Sequence, residues 1–347
     1  MSRRRPWWWD GPVNSGAVVD RGRYPDLVTP WERAEWRSAA LGWVGGVLDA
    51  GGLRETGPRR VRLRPWSVLV RLSVDGGPVW FKASPPAGRF EAGLAEALSE
   101  WVPEHVLRPL AVDAGRGWSL LPDGGPRLAD VLEEGADGAD GPRTWEALLH
   151  RYAELQRSLL PYAAKIEALG VPVARTATLP HVFDRLVADN GALTAADRTV
   201  LDGLRPRLVE WCEELAGLGV ADSLDHADVH EGQVFVPGPG RFTFFDWGDA
   251  AVSHPFCSFV VPAGHAAERY GPDVLPRLRD AYLEPWTGAG RTTRDLRRAL
   301  RLAWRLGAIG RAVAWGRLFP GAADATDLAG DAQAVDSLLR LRDEPPV

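Results

Sequence analysis

At 347 residues the chain is long enough to bury one large core or two modest ones. It is 45% apolar and 25% charged, as ordinary globular proteins are, and its net charge of -5 argues against a nucleic-acid partner, which would favour a basic surface. Two cysteines, Cys212 and Cys257, are too few for a disulfide framework or a cysteine metal site, and no run approaches the roughly 18 apolar residues of a membrane span, so a cytoplasmic protein with no membrane partner is expected.

Residues 1–27 mix Arg, Trp, Gly and Pro without periodicity and read as an N-terminal extension; a flap built on Trp7, Trp8 and Trp9 is the alternative. Over 30–50, Trp36, Ala39, Ala40, Trp43, Val44 and Val47 fall at helical spacing, and Gly51 and Gly52 end the helix. Short β-rich pieces follow at 61–63, 68–74 and 78–83, the last two joined by a hairpin turn at Asp75 and Gly76. Lys82 stands on the third piece, in a chain whose 41 basic residues include only one other lysine, Lys165. A strand lysine can simply blunt a sheet edge, but one so rare by composition is singled out here. The next helix, 89–98, offers Glu91 and Glu96 as partners for it. Glu91 lies nearer the face shared by Leu94 and Leu98.

Residues 106–112 and 118–121 read as two further strands around the turn 113–117, and 120–125 as a Pro/Gly-rich link. That link divides a sheet-bearing region, 28–122, from a helical one, 123–347. In the latter, Leu148, Tyr152, Leu155 and Leu159 mark one helix, stopped by Pro161. Thr194 and Asp197 form a capping-box signal for a second, with a buried stripe of Leu201, Leu204, Leu208, Cys212 and Leu215 and an expected break at Pro206. Thr292 and Asp295 cap a third, whose stripe is Leu296, Leu300, Ala303, Leu306, Ile309 and Val313 and whose arginines read as a solvated face.

Between the second and third of these helices lies the stretch that carries the chemistry, 226–249, reading HADVHEGQVFVPGPGRFTFFDWGD. A polar loop leads into the apolar run 234–236, a Gly/Pro turn, and a second apolar run ending at Asp246, which predicts a β-hairpin. Closing that hairpin sets Gln233 near Asp246 and lets Asp228 face the same space. Oxygen donors of this kind suit a hard divalent cation with a proton acceptor beside it.

The order of these residues resembles the catalytic loop and metal-binding segment of protein kinases, H-R-D-L-x-x-x-N followed by D-F-G. His226-Ala227-Asp228, then Gln233, then Asp246-Trp247-Gly248 occupy the corresponding places, and His230 fits the H-x-D-x-H version of the small-molecule branch, the aminoglycoside phosphotransferase family. The resemblance implies a bilobal α+β fold with a small antiparallel-sheet N-lobe and a larger helical C-lobe. It implies ATP and Mg²⁺ as cofactors and a small-molecule hydroxyl, on an aminoglycoside, amino sugar or sugar, as phosphoryl acceptor. Asp228 is then the base, and Gln233 and Asp246 are the metal ligands. Lys82, held by Glu91, meets the nucleotide phosphates; Ser67 is a further candidate phosphate contact, Leu121 belongs to the hinge, and His226 braces the loop. The sequence departs from the family where Gln233 replaces Asn, where Arg64-Pro65-Trp66-Ser67 replaces a glycine-rich loop, and where His254 replaces the acid before Pro255.

Two other readings stay open at this point. His226, Asp228 and His230, with Asp246 and His254, could form the metal site of a hydrolase; or the chain binds nucleotide without transferring from it. Asp222, Asp225, Glu231 and Asp249 could attract a cationic acceptor.

Overall fold

A computed structural model describes residues 17–25, 29–134, 141–288, 290–315 and 330–347. Its described residues form two compact units, one comprising 17–100 and 107–123, the other the remainder. The Trp7–Trp9 segment lies outside the described residues.

The first unit is a six-stranded sheet with two helices. In chain order it has β1 (Val18–Asp20), α1 (Ala34–Ala50), β2 (Arg60–Arg64), β3 (Ser67–Val74), β4 (Gly77–Ala83), α2 (Phe90–Trp101), β5 (Ala111–Asp113) and β6 (Trp118–Pro122), with sheet order β1-β2-β3-β4-β6-β5. Side chains alternate between the faces of a strand. Val68, Val70, Leu72 and Val74 therefore share one face of β3, and the register sets Val70 opposite Val61 and Phe81, and Phe81 opposite Leu120. That face joins Ala40, Val44 and Leu48 of α1 in a single buried core. Trp36 and Trp43 pack edge-on or tilted against Trp118 at 5.6 and 5.9 Å, so several of the chain's tryptophans are structural rather than platforms for a ligand.

Two expectations fail here. Residues 17–25 are not featureless, because β1 pairs in parallel with β2 and Tyr24 is buried beside Trp66. The strand expected over 106–112 shrinks to Ala111–Asp113, since Pro109 has no amide hydrogen to give a ladder. Val106 instead bridges Phe244.

The second unit is mainly helical: α3 (Leu128–Glu134), α4 (Gly141–Leu159), α5 (Ala163–Ala168), β7 (Val173–Ala174), α6 (Leu179–Asp189), α7 (Ala195–Gly217), β8 (Ser223–Asp225), β9 (Val234–Gly238), β10 (Arg241–Phe244), β11 (Ala251–Ser253), α8 (Val260–Tyr270), α9 (Leu275–Leu283), α10 (Thr293–Ala314) and α11 (Gly330–Leu339). Both capping signals operate: Thr194 Oγ1 accepts from the Asp197 amide at 3.1 Å, and Thr292 Oγ1 from that of Asp295 at 3.2 Å. The break expected at Pro206 does not occur. α7 runs through it, and burial of Leu201, Leu208, Trp211, Cys212 and Leu215 offsets a proline penalty of about 3 kcal/mol. Among the described residues no helix is long and apolar enough to cross a membrane.

Candidate active site

In the first unit the register places Lys82 opposite Leu69 and Ser119, on the sheet face turned away from the α1 core. Ser67 and Leu121 fall on the same face by alternation. Lys82 Nζ donates to Glu91 Oε1 at 2.5 Å, and Ser84 Oγ donates to the other carboxylate oxygen at 2.6 Å. Lys82 and Glu91 are each 7% exposed, so the ammonium is held by a nearly dry pair rather than left to swing in solvent. Glu96, the competing choice, makes no ion pair with Lys82. Ser67 is itself buried, at the start of β3 after the two-residue turn Pro65-Trp66. β6 continues to Pro122, and Trp80 Nε1 donates to Asp123 at 2.9 Å just beyond it.

In the second unit the 226–249 stretch folds as a loop and hairpin, with β9 and β10 paired antiparallel and Gly240 at φ +67° completing the turn. The Phe245 amide donates to Gln233 O at 3.2 Å, which sets Gln233 beside the residue before Asp246. The Gln233 carboxamide makes no hydrogen bond among the described residues and is half-buried, so its oxygen is uncommitted. Together with the Asp246 carboxylate, such a donor fits a hard divalent cation, and the extra methylene over Asn does not remove it.

Ala227 and Asp246 are the only non-glycine residues with positive φ among those described, at 62° and 66°. Left-handed backbone at such residues costs of the order of 1 kcal/mol each and persists only where the surroundings enforce it. At Ala227 the enforcing group is Asp225. Its Oδ1 accepts from the Ala227 amide at 2.7 Å, an Asx turn that throws Asp228 outward. Asp225 is 3% exposed and also accepts from Ser253 Oγ at 3.1 Å and from Ser258 Oγ. Burial raises its carboxyl above the usual range, while these donors oppose that. A hydrogen-bond chain continues behind it: the His226 amide donates to Tyr152 Oη at 3.1 Å, and Tyr152 Oη lies 2.9 Å from Ser258 Oγ. His226 Nε2 sits 2.8 Å from Phe245 O, and its ring packs 4.6 Å from Trp247. His226 therefore ties the loop to the end of the hairpin.

That placement dissolves the hydrolase set. His226 is fully buried in its bracing role, and His254, also fully buried, accepts from the Phe256 amide at 3.2 Å through Nδ1. Among the described residues only His230 of the three histidines pairs with Asp228, its Nε2 lying 3.8 Å from Oδ2. The acids expected to attract a cation are likewise engaged internally. Asp225 is buried as above, Asp222 accepts from Thr176 Oγ1 at 2.9 Å, Glu231 pairs with His265 at 3.1 Å, and Asp249 lies 3.6 Å from Arg311.

His230, Glu231 and His265 do come within 4.8 Å of one another through potential ligand atoms. Their existing bonds already account for the cluster: His230 Nδ1 accepts from the Gly232 amide at 3.0 Å, and Glu231 faces His265. The hydrogen bond to Glu231 raises His265, whereas burial lowers His230. A raised histidine stabilises the fold fully below its unfolded pKa of about 6.5, and that contribution disappears as pH rises through the folded value. His265→Ala should accordingly lower the melting temperature more at about pH 5.5 than at about pH 9, as read by thermal denaturation. Equal losses at both would assign the effect to packing alone.

The group that sequence reading missed is Arg311. From α10 its Nη1 donates to Ala227 O at 2.9 Å and to Asp228 Oδ1 at 3.1 Å. The arginines of α10 were expected to form a solvated face, and this one does not. A signal existed: Arg311 lies about three turns of 3.6 residues beyond the buried Leu300, which puts it on the apolar stripe.

No protein-family model matches the sequence, and neither does any curated protein. Solved structures do. Plasmodium vivax ethanolamine kinase aligns with a TM-score of 0.57 at 11% identity over 88% of this chain and 87% of that one. The GDP complex of an aminoglycoside 2'-phosphotransferase aligns at 0.52 and 14% identity over 87% and 98%. An amicoumacin kinase in complex with AMP-PNP and Ca²⁺ aligns at 0.53 and 11% identity over 89% and 96%. At these identities the likeness speaks to architecture: the chain has the bilobal α+β protein-kinase-like fold found in small-molecule phosphotransferases.

Proposed function

We propose that the protein is an ATP-dependent phosphotransferase that moves the γ-phosphoryl group to a hydroxyl of a small molecule. The observation that carries this reading is the loop and hairpin of 226–249. It holds an acid out on an enforced left-handed turn and sets an uncommitted amide next to the segment bearing a second acid. Phosphoryl transfer asks little covalent chemistry of a protein; it asks for positioning and charge neutralisation. Asp228 orients the acceptor hydroxyl and takes its proton. Gln233 and Asp246 hold Mg²⁺, which when bound neutralises phosphate charge. Lys82, fixed by Glu91, binds phosphate oxygens, with Ser67 as a further contact and the backbone at Leu121 for the base.

The structural neighbours are named for different acceptors, and two of them were solved with different nucleotides, GDP and AMP-PNP, so fold alone selects neither. The internal pairing of Asp222, Asp225, Glu231 and Asp249 makes neutral acceptors as reasonable as cationic ones. A screen that follows ADP or GDP release should therefore cover sugars, amino sugars, aminoglycosides and amino alcohols, with and without Mg²⁺. Acceptor-stimulated release that EDTA abolishes is the expected result. Nucleotide binding with no release above background across the panel would support the non-transferring alternative, and absence of nucleotide binding would overturn the reading.

A further inference from the structure

The roles assigned so far leave one cation beside the base unexplained. Arg311 spends a single nitrogen, Nη1, on Ala227 O and Asp228 Oδ1, with Asp249 Oδ2 at 3.6 Å. Its Nε and Nη2 donate to no group among the described residues. A guanidinium carries five N–H donors in a planar fork shaped for carboxylate or phosphate. A tether between α10 and the loop needs only the edge already used. The side chain is 27% exposed, so it is not sealed in the core.

We propose that Arg311 is a further catalytic residue: its Nε and Nη2 bind oxygens of the phosphoryl group in transit while Nη1 keeps Asp228 aimed at the acceptor. This rests on the transfer reading above. In the step, the acceptor oxygen bonds to the γ-phosphorus as the bond from that phosphorus to the β,γ-bridging oxygen breaks. The electron pair leaves on the nucleoside diphosphate, and the acceptor proton passes to the Asp228 carboxylate. Asp228 must sit within hydrogen-bond reach of the attacking oxygen, and hence close to the anionic phosphoryl oxygens. Two like charges are thus forced together at the moment of transfer. A cation already bonded to the base and holding spare donors relieves that repulsion where it arises.

The test uses the full-length protein with Mg²⁺ and ATP, reading transfer to the acceptor found by screening and, in parallel, hydrolysis with water as acceptor. Arg311→Ala should lower kcat about 100-fold, with the nucleotide KM within about threefold of wild type. Guanidinium added to Arg311→Ala should restore at least about tenfold of the loss, yet do nothing for Asp228→Asn. Arg311→Lys keeps a charge near the loop but not the fork, and should stay at least about tenfold impaired. Turnover of Arg311→Ala within about threefold of wild type overturns the proposal. So does a loss that tracks a fall in melting temperature and resists guanidinium, which would make Arg311 a tether only. If Asp228→Asn also turns over at the wild-type rate, it is the assignment of Asp228 as base that fails, whereas the absence of transfer from the wild-type protein to any acceptor would sink the transfer reading itself.

Discussion

Asp228→Asn should reduce phosphoryl transfer by about 10²–10⁴-fold, the range expected for loss of a positioned general base. The substitution is chosen because the site tolerates its shape. Asparagine keeps an oxygen where Asp228 Oδ1 receives Arg311 at 3.1 Å, so the link to α10 survives. The turn that presents the residue depends on Asp225 and the Ala227 amide, neither of which changes. Nucleotide affinity should also persist, because Lys82 and Glu91 lie on a separate unit with their own buried pairing. The loss should therefore appear in kcat with little change in the nucleotide KM, the pattern of an interaction made in the transition state. Initial rates with the screened acceptor decide the matter. A variant within twofold of wild type would remove Asp228 from the role of base.

Much of this site was legible because its signals are local. The alternation of Val68, Val70, Leu72 and Val74 with the turn at Asp75 and Gly76 defines the sheet that carries Lys82, and strands β3 and β4 appear where that pattern places them. The Thr194/Asp197 capping box and the Thr292 N-cap each mark a helix start from residues three apart. The loop-and-hairpin reading of 226–249 needed only a polar run, two apolar runs and a Gly/Pro turn between them. What escaped was either too short to show a period or too distant in the chain to be paired. β7, β8 and β11 have two or three residues each, yet they form the small sheet whose middle strand leads into His254. Arg311 meets Asp228 across 83 positions, and His265 meets Glu231 across 34, separations at which no spacing rule operates. Pro206 misled for another reason: a local penalty is overruled when the helix on both sides of it buries a continuous face.

His254, which replaces the acid that many members of the resembling family carry before this proline, should make the fold acid-sensitive. The imidazole is completely buried and lowered to about 3 by that burial. Its Nδ1 accepts from the Phe256 amide, so in the neutral ring the proton sits on Nε2, for which no hydrogen-bond partner exists among the described residues. Protonation would place a second N–H against that amide and a charge in a dry core. The unfolded chain has no such restriction and takes up the proton near pH 6.5. Between the two values the unfolded state binds more protons than the native one, so stability falls as pH falls. From about pH 7 to about pH 4 this single group withdraws roughly 3 kcal/mol, a large share of a typical domain's stability. His254→Asn keeps a side-chain acceptor for the Phe256 amide and removes the titration. The smaller residue leaves a void and lowers stability at neutral pH, but that cost does not vary with pH. Denaturant unfolding of both proteins across this interval should give a wild-type curve steeper than the variant's by about that amount. Parallel curves would mean that water or a rearranged Phe256 segment already accommodates the imidazolium.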